Sequence, residues 1–317
     1  MKELLVILRK RGWVISLVIA GMGICPWFWV KTRAAQPTEV AVVYNPPTPE
    51  SAPEDIKGTV MLGYNIVKET RKYAGDYVGN ALSCSNCHFD AGMTRGGESG
   101  GLSLVGVGAT YPAYKKRERY AVDLMTRTND CFERSMNGKP LPASGKEMIA
   151  ILAYYQWISK GLPIYAEIPW LGLKALKSSH QPDQAEGKKV FAQQCAGCHG
   201  SNGEGTPAAP PQWGPQSFND GAGLAKLEVY AAFVHLNMPR EKPDLSDAQA
   251  LDVAAYVIAQ PRPHFTGKPA TVAGVSWKAP AGSGLEECQA LPRKPPIPED
   301  NPNDTGEGRS GQTALFR

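Results

Sequence analysis

The chain has 317 residues, which is enough for two domains of ordinary size once terminal segments are set aside. It is 42% hydrophobic and 20% charged, with a net charge of +4, and this balance excludes a collagenous, a multi-span membrane or a wholly disordered protein. No strongly basic stretch points to a nucleic-acid partner. The counts that stand out are 33 Gly, 27 Pro and 7 Cys.

The N-terminus has the pattern of an export segment. Three basic residues at 9–11 precede an uncharged run of 18 residues from Trp13 to Val30, which as a helix is about 27 Å long. A basic start followed by an apolar run is typical of a signal peptide or a retained anchor, whereas a buried core helix leaves the basic flank unexplained. We predict a signal peptide or inner-membrane anchor at 1–35, a Pro-rich linker at 36–53 and a periplasmic location, either soluble or anchored.

Two pentapeptides, CSNCH at 84–88 and CAGCH at 195–199, share the CxxCH pattern that attaches c-type haem. Two thiols three positions apart can bond to two vinyl groups of one porphyrin, while the adjacent histidine binds the iron. We therefore predict two covalently bound haem c groups. The attaching residues are Cys84, Cys87 and His88 in the first motif and Cys195, Cys198 and His199 in the second.

Other chemistry is compatible with paired cysteines. The two CxxC pairs could form one four-cysteine zinc site, or each pair could form a redox disulfide. Both alternatives leave the two histidines unexplained, so haem attachment is favoured.

Apolar residues at helical spacing flank both motifs. Helices are predicted at 55–77 and 183–194 before the motifs, and at 145–159 and 246–260 after them, with Pro261 ending the last. No alternating strand pattern accompanies them. The sequence thus predicts an all-α fold of two tandem class I cytochrome c-type domains, at 54–165 and 183–265. A Pro/Gly-rich tail with the lone thiol Cys288 is predicted at 266–317.

The sixth iron ligand separates electron carriers from catalysts. In the second domain Met238, 39 residues after His199, is the expected ligand, with His235 as a competitor. In the first domain Cys131 and Met136 compete, and Met125 is a weaker third candidate. A buried thiol or a disulfide is the alternative role for Cys131.

A basic cluster surrounds Cys131. Residues 115–139 include seven basic and four acidic side chains, which gives this stretch a net charge of +3. Such a cluster is usually a solvated face, yet beside a reactive sulfur it would suit a small anionic substrate.

Several segments resemble the dihaem thiosulfate dehydrogenases. The similarity covers roughly residues 55–265 and is carried by the CSNCH motif and by the segments at 104–106, 111–114, 129–142, 217–223 and 237–239. The resemblance implies that His88 and Cys131 are the axial ligands of a catalytic first haem. It also implies an anion pocket lined by Arg117, Arg127 and Ser135.

One position departs from part of that family. Some members carry a lysine directly before the axial methionine and switch ligands, but this chain has Asn237 there. We therefore expect plain His199/Met238 ligation at a second haem that serves as the electron exit.

The function implied by the resemblance is oxidation of two thiosulfate ions to tetrathionate. Electrons would pass through the two haems to a small c-type cytochrome or another acceptor. The main alternative is a dihaem electron-transfer cytochrome subunit without chemistry of its own, which would place Met136 or Met125 on the first iron. A dihaem peroxidase needs an open haem face, which a thiolate at Cys131 argues against.

Overall fold

The computed structural model describes residues 44–267, apart from Lys116 and Arg119. The predicted export segment with Cys25 and nearly all of the predicted tail, with Cys288, lie outside the described residues. Within the described range, no helix is both long and apolar enough to cross a membrane.

The first half of the described chain is built mainly from helices. In chain order these are α1 (Glu54–Lys68), α2 (Thr70–Tyr73), α3 (Val107–Thr110), α4 (Leu124–Asp130) and α5 (Lys146–Trp157). The first CxxCH motif begins with a 3₁₀ turn at Cys84–Asn86, and α4 continues into a π-helical turn at Cys131–Ser135.

The second half repeats the plan with fewer pieces. Its helices are α6 (Gln184–Val190), α7 (Ala196–His199), α8 (Leu227–Asn237) and α9 (Asp247–Ile258), and a π-helical turn at Phe191–Cys195 joins α6 to the second motif. Helix α9 begins with a capping box, because Ser246 Oγ accepts from the Gln249 N–H and the Gln249 side chain accepts from the Ser246 N–H. The helix-rich content predicted from the sequence is confirmed.

A short hairpin corrects the all-α prediction. Strands β1 (Ala113–Lys115) and β2 (Tyr120–Val122) pair antiparallel, with Ala113 opposite Val122. Strands of three residues are too short to produce an alternating pattern that a sequence window can detect. The hairpin lies between α3 and α4 and carries part of the basic cluster to the Cys131 region.

Each half is closed by the crossing of its first and last long helices. Helix α1 packs on α5, and α6 packs on α9. A glycine lies at each crossing: a Cβ at Gly63 would overlap the Ala150 carbonyl, and a Cβ at Gly187 would overlap the Asp252 carbonyl. Glycine weakens a helix in isolation, but at these two positions it permits the close approach of the backbones.

This contact predicts a large stability effect. We expect Gly63→Ala to lower the free energy of unfolding by about 2 kcal/mol or more, because the added methyl must displace α5 backbone. Gly58→Ala on the same helix is the matched control, since a Cβ there meets nothing within 4 Å. It should raise stability by up to about 1 kcal/mol through helix propensity. Denaturant titration of both variants checks this, and equal stabilities would contradict the crossing geometry.

The two halves share one core. A continuous set of buried apolar side chains extends through both, and Phe89 meets Phe233 edge-on with ring centroids 6.0 Å apart. Backbone hydrogen bonds also join the halves, from Ser99 N to Leu236 O (2.7 Å) and from Asn219 N to Arg134 O (3.1 Å). The two CxxCH motifs are therefore held in a fixed relation to each other.

Candidate functional site

Both CxxCH motifs line one continuous, mostly apolar cavity. Its wall includes all six predicted attachment residues: Cys84, Cys87, His88, Cys195, Cys198 and His199. The predicted axial candidates Cys131, Met136 and Met238 line the same cavity, as does Ser135. The fold thus brings together the residues that the sequence placed far apart along the chain.

Both motif histidines are prepared to act as neutral ligands. His88 Nδ1 bonds the Leu102 carbonyl at 2.8 Å, and His199 Nδ1 bonds the Pro210 carbonyl at 2.7 Å, which leaves Nε2 of each ring available. Burial lowers the pKa of His88 to about 4 and also lowers the pKa of His199. Each imidazole is therefore uncharged at neutral pH, the form that binds iron.

The motif cysteines fit thioether attachment better than a zinc site. None of the five cysteines in the described part of the chain forms a disulfide. Burial raises the pKa of Cys84 and Cys87 to about 12, so these free thiols are protonated at neutral pH. Over residues 44–267, no three or more His, Cys, Asp or Glu side chains converge as a metal cluster. The donor set and the apolar cavity match one c-type haem at each motif.

Met238 lines the cavity shared by the motifs, whereas His235 does not. Met238 follows the last residue of α8 and lines the cavity, whereas His235 Nδ1 bonds the Leu245 carbonyl at 3.0 Å. Asn237 is fully buried, and its Oδ1 accepts from the Gly101 N–H of the other half at 2.7 Å. The position that carries lysine in some relatives is thus used here to join the two halves.

Cys131 is half-buried at the first position of the π-helical turn after α4. Arg127, one helical turn earlier, donates from Nη1 to Cys131 Sγ at 3.1 Å. The sulfur beside the guanidinium raises the pKa of Arg127 well above its usual range. This contact places a permanent positive charge beside the sulfur.

Tyr111 and Lys115, which the sequence did not assign to the anion pocket, lie near Arg127. Tyr111 lies close enough to Arg127 for the positive charge to lower the pKa of its hydroxyl, although burial has the larger effect and raises that pKa. Lys115 on β1 holds its Nζ 4.8 Å from the Tyr111 ring centroid. Burial, and then the charge of Arg127, lower the pKa of Lys115 to about 8. Among the described residues, Lys115 and Arg127 have no carboxylate within ion-pair distance. Their charge is therefore available to an anion.

Arg117 is placed differently from the other predicted pocket residues. It pairs with Glu118 and, at 2.7 Å, with the buried carboxylate of Asp130, which also binds Arg134 at 2.9 Å. Neither Arg117 nor Arg127 lines the described cavity, whereas Ser135 does, and of the two arginines only Arg127 contacts Cys131 Sγ. The structure thus brings Arg127, Cys131 and Ser135 to one region and commits Arg117 to the Asp130 cluster.

Comparison with known protein families matches the two halves separately. Residues 78–164 match the family described as SoxA/TsdA, cytochrome c domain, and residues 182–257 match cytochrome C oxidase, cbb3-type, subunit III. The two matches cover the two CxxCH motifs. Cytochrome c domains carry covalently bound haem c, in agreement with the donor set described above.

Curated relatives match across both halves. The chain is 42% identical over 226 residues to a thiosulfate dehydrogenase of Thiomonas intermedia, with 68% of this chain and 71% of that protein covered. It is 36% identical over 241 residues to a thiosulfate dehydrogenase of Allochromatium vinosum, with 74% and 88% covered.

A solved structure shares the fold. The chain superimposes on a thiosulfate dehydrogenase (TsdBA) from Marichromatium purpuratum in the "as isolated" form, with a TM-score of 0.67 and 29% identity. The match covers 74% of this chain and 52% of that one, so this chain spans about half of the length of the solved protein. Taken together with the site geometry, these similarities show that the chain belongs to the thiosulfate dehydrogenase family.

Proposed function

We propose that this chain oxidises two thiosulfate ions to one tetrathionate ion and passes two electrons to an external acceptor. The observation that carries the proposal is the contact of Arg127 with Cys131 Sγ, since Cys131 lines a cavity shared by both CxxCH motifs. We further propose that the acceptor is a small c-type cytochrome and that the protein works in the periplasm, soluble or anchored by residues 1–35.

The two motifs would hold the cofactors. Cys84, Cys87 and His88 would bind one haem c, with Cys131 as the second axial ligand, and Cys195, Cys198 and His199 would bind the other, with Met238. When bound, each haem supplies one-electron redox chemistry at an iron whose potential its axial ligands tune. A thioether ligand at Met238 favours the reduced iron, which suits an electron exit.

Charge neutralisation is the first task of the protein side chains. Two thiosulfate dianions about 4 Å apart repel each other by roughly 4 kcal/mol even at the dielectric constant of water. Arg127 and Lys115 carry positive charge and form no ion pair with a described carboxylate, and Ser135 on the cavity wall can donate a hydrogen bond to a sulfonate oxygen. Arg117 would join them if it were to exchange its Asp130 partner for substrate.

Cys131 would carry the covalent step. Once released from the iron, its thiolate would bond to the outer sulfur of the first thiosulfate. This oxidation would leave a Cys–S–S–SO₃⁻ group and release two electrons, which would pass through the two haems to the external acceptor. The outer sulfur of the second thiosulfate then attacks the outer sulfur of the first. The new S–S bond completes tetrathionate, and Cys131 leaves as thiolate with the electron pair of the broken bond. Arg127 would stabilise that leaving thiolate.

The carrier alternative has one supporting observation. Met136 is buried and lines the same cavity as Cys131, so a methionine could take the sixth position of the first iron. The protein would then be a dihaem electron-transfer cytochrome, and it would not consume thiosulfate.

The assay that separates the two functions uses the dihaem protein with thiosulfate and ferricyanide. The proposed function predicts one tetrathionate formed and two ferricyanide reduced for each two thiosulfate consumed. A protein that accepts and donates electrons but leaves thiosulfate unchanged would contradict the proposal and support the carrier.

A further inference from the structure

The backbone carbonyls that accept from the two motif histidines differ in their other hydrogen-bond donors. His88 Nδ1 bonds the Leu102 carbonyl, and His199 Nδ1 bonds the Pro210 carbonyl. The second carbonyl also accepts from a side chain: Gln212 Nε2 lies 3.0 Å from Pro210 O and 2.8 Å from His199 Nδ1. In the described part of the chain, no side-chain donor is seen on the Leu102 carbonyl.

Tyr230 determines which way the Gln212 amide points. The Tyr230 hydroxyl donates to Gln212 Oε1 at 2.6 Å, and Tyr230 is 5% exposed. Burial raises the pKa of Tyr230 well above its usual range, so the hydroxyl keeps its proton. With Oε1 occupied by this donor, the amide nitrogen must face Pro210 and His199.

The Pro210 carbonyl therefore serves two N–H donors. When His199 binds iron through Nε2, its proton resides on Nδ1 and is donated to Pro210 O. The Gln212 amide donates to the same oxygen and presents its positive end to the imidazole. Sharing the carbonyl weakens the histidine's own hydrogen bond, so the ring has less anionic character and donates less charge to a ferric iron.

We propose that Gln212, oriented by Tyr230, is a positioning residue that raises the reduction potential of the haem held by the second motif. The pair makes the second haem a better electron acceptor for the first. This inference concerns the electron exit alone, so it holds whichever reductant supplies the electrons.

Three variants of the dihaem protein test it by equilibrium redox titration. Gln212→Glu keeps the length of the side chain and its Tyr230 contact but replaces the donor with an acceptor that competes for the His199 proton. Gln212→Leu removes the donor, and Tyr230→Phe leaves the amide free to turn. We expect the potential to fall most in Gln212→Glu, less in Gln212→Leu and least in Tyr230→Phe. For Gln212→Leu the fall should correspond to a reduction equilibrium constant about tenfold smaller, 59 mV for one electron.

Two controls accompany the series. Gln216→Leu alters an exposed glutamine four residues away and should leave both potentials unchanged. The potential of the first haem is an internal reference and should stay constant in all variants.

The proposal is overturned by a second-haem potential in Gln212→Glu equal to that of the wild type. The proposal is also overturned if Gln216→Leu lowers the second-haem potential as much as Gln212→Leu does. A fall that occurs only with loss of the absorption band of methionine-ligated ferric haem would show that Gln212 merely keeps Met238 in place, and this also overturns it. None of these outcomes depends on thiosulfate turnover.

Discussion

Cys131→Ala is expected to reduce thiosulfate-dependent ferricyanide reduction to below about a thousandth of the wild-type rate, because the variant lacks the sulfur that we propose as the acceptor of the substrate fragment. Haem attachment should be unchanged, since all four attaching cysteines lie elsewhere. Initial rates and the haem content per chain, measured on the same preparation, check both parts.

Met136→Leu is the matched control for this variant. Leucine conserves the volume of the buried side chain and removes the thioether, so it should keep most of the thiosulfate activity if Cys131 is the reactive sulfur. The opposite pair of results, with an active Cys131→Ala protein and a Met136→Leu protein of altered first-haem spectrum, would contradict Cys131 as the reactive sulfur and favour Met136 as the ligand of the first iron.

Arg127→Gln should lower kcat/KM for thiosulfate by about 100-fold, which corresponds to about 2.7 kcal/mol of transition-state stabilisation. Arg127 is the cation in contact with Cys131 Sγ, and its charge serves both the approaching dianion and the departing thiolate. Arg127→Lys should give an intermediate loss, since lysine keeps the charge but lacks the planar set of donors. Steady-state kinetics over a range of thiosulfate concentrations measures these values.

Lys139→Gln is the control for the loss of one positive charge anywhere in the basic stretch at residues 115–139. Lys139 belongs to the same basic stretch of sequence but is exposed and lies over the Tyr77 ring, 5.4 Å from its centroid. Its removal should change kcat/KM less than threefold at moderate ionic strength, since exposed charges are screened. A loss as large as that of Arg127→Gln would show that the total charge matters and the contact with Cys131 does not.

Local sequence signals were sufficient for the four helices that precede and follow the CxxCH motifs, whereas α3, α4 and α8 were not predicted. The apolar spacing that predicts a helix before each motif reflects a face that is buried against the closing helix, so a pattern of period 3.6 reports it directly. Gly63 shows the limit of the same reasoning, because helix propensity counts it as a weakness whereas the crossing with α5 requires it.

Neither the hairpin nor the contacts that depend on it were predicted from the sequence. Lys115 reaches the Arg127 region because β1 and β2 fold back before α4, and three-residue strands leave no periodic signal. The pairing of Arg117 with Asp130 also depends on tertiary structure, since it joins residues 13 positions apart from different elements. A local charge count treats all basic residues of the stretch as equivalent, but the structure neutralises some of them and leaves others available.

The hydrogen bonds that join the two halves were likewise not predicted from the sequence patterns. Asn137 and Asn80 both donate to the Ser217 carbonyl of the other half, at 2.7 and 3.0 Å. Single asparagines in loops carry no periodicity that would reveal such contacts. They nevertheless help to join the two halves.

Low-temperature EPR of the fully oxidised protein tests most directly the claim that Cys131 is a ligand at the catalytic first haem. We expect two low-spin signals, one of the thiolate-ligated type and one of the His/Met type. The thiolate-type signal should be lost in Cys131→Ala and retained in Met136→Leu. Two ordinary His/Met signals in the wild-type protein would contradict the assignment of Cys131.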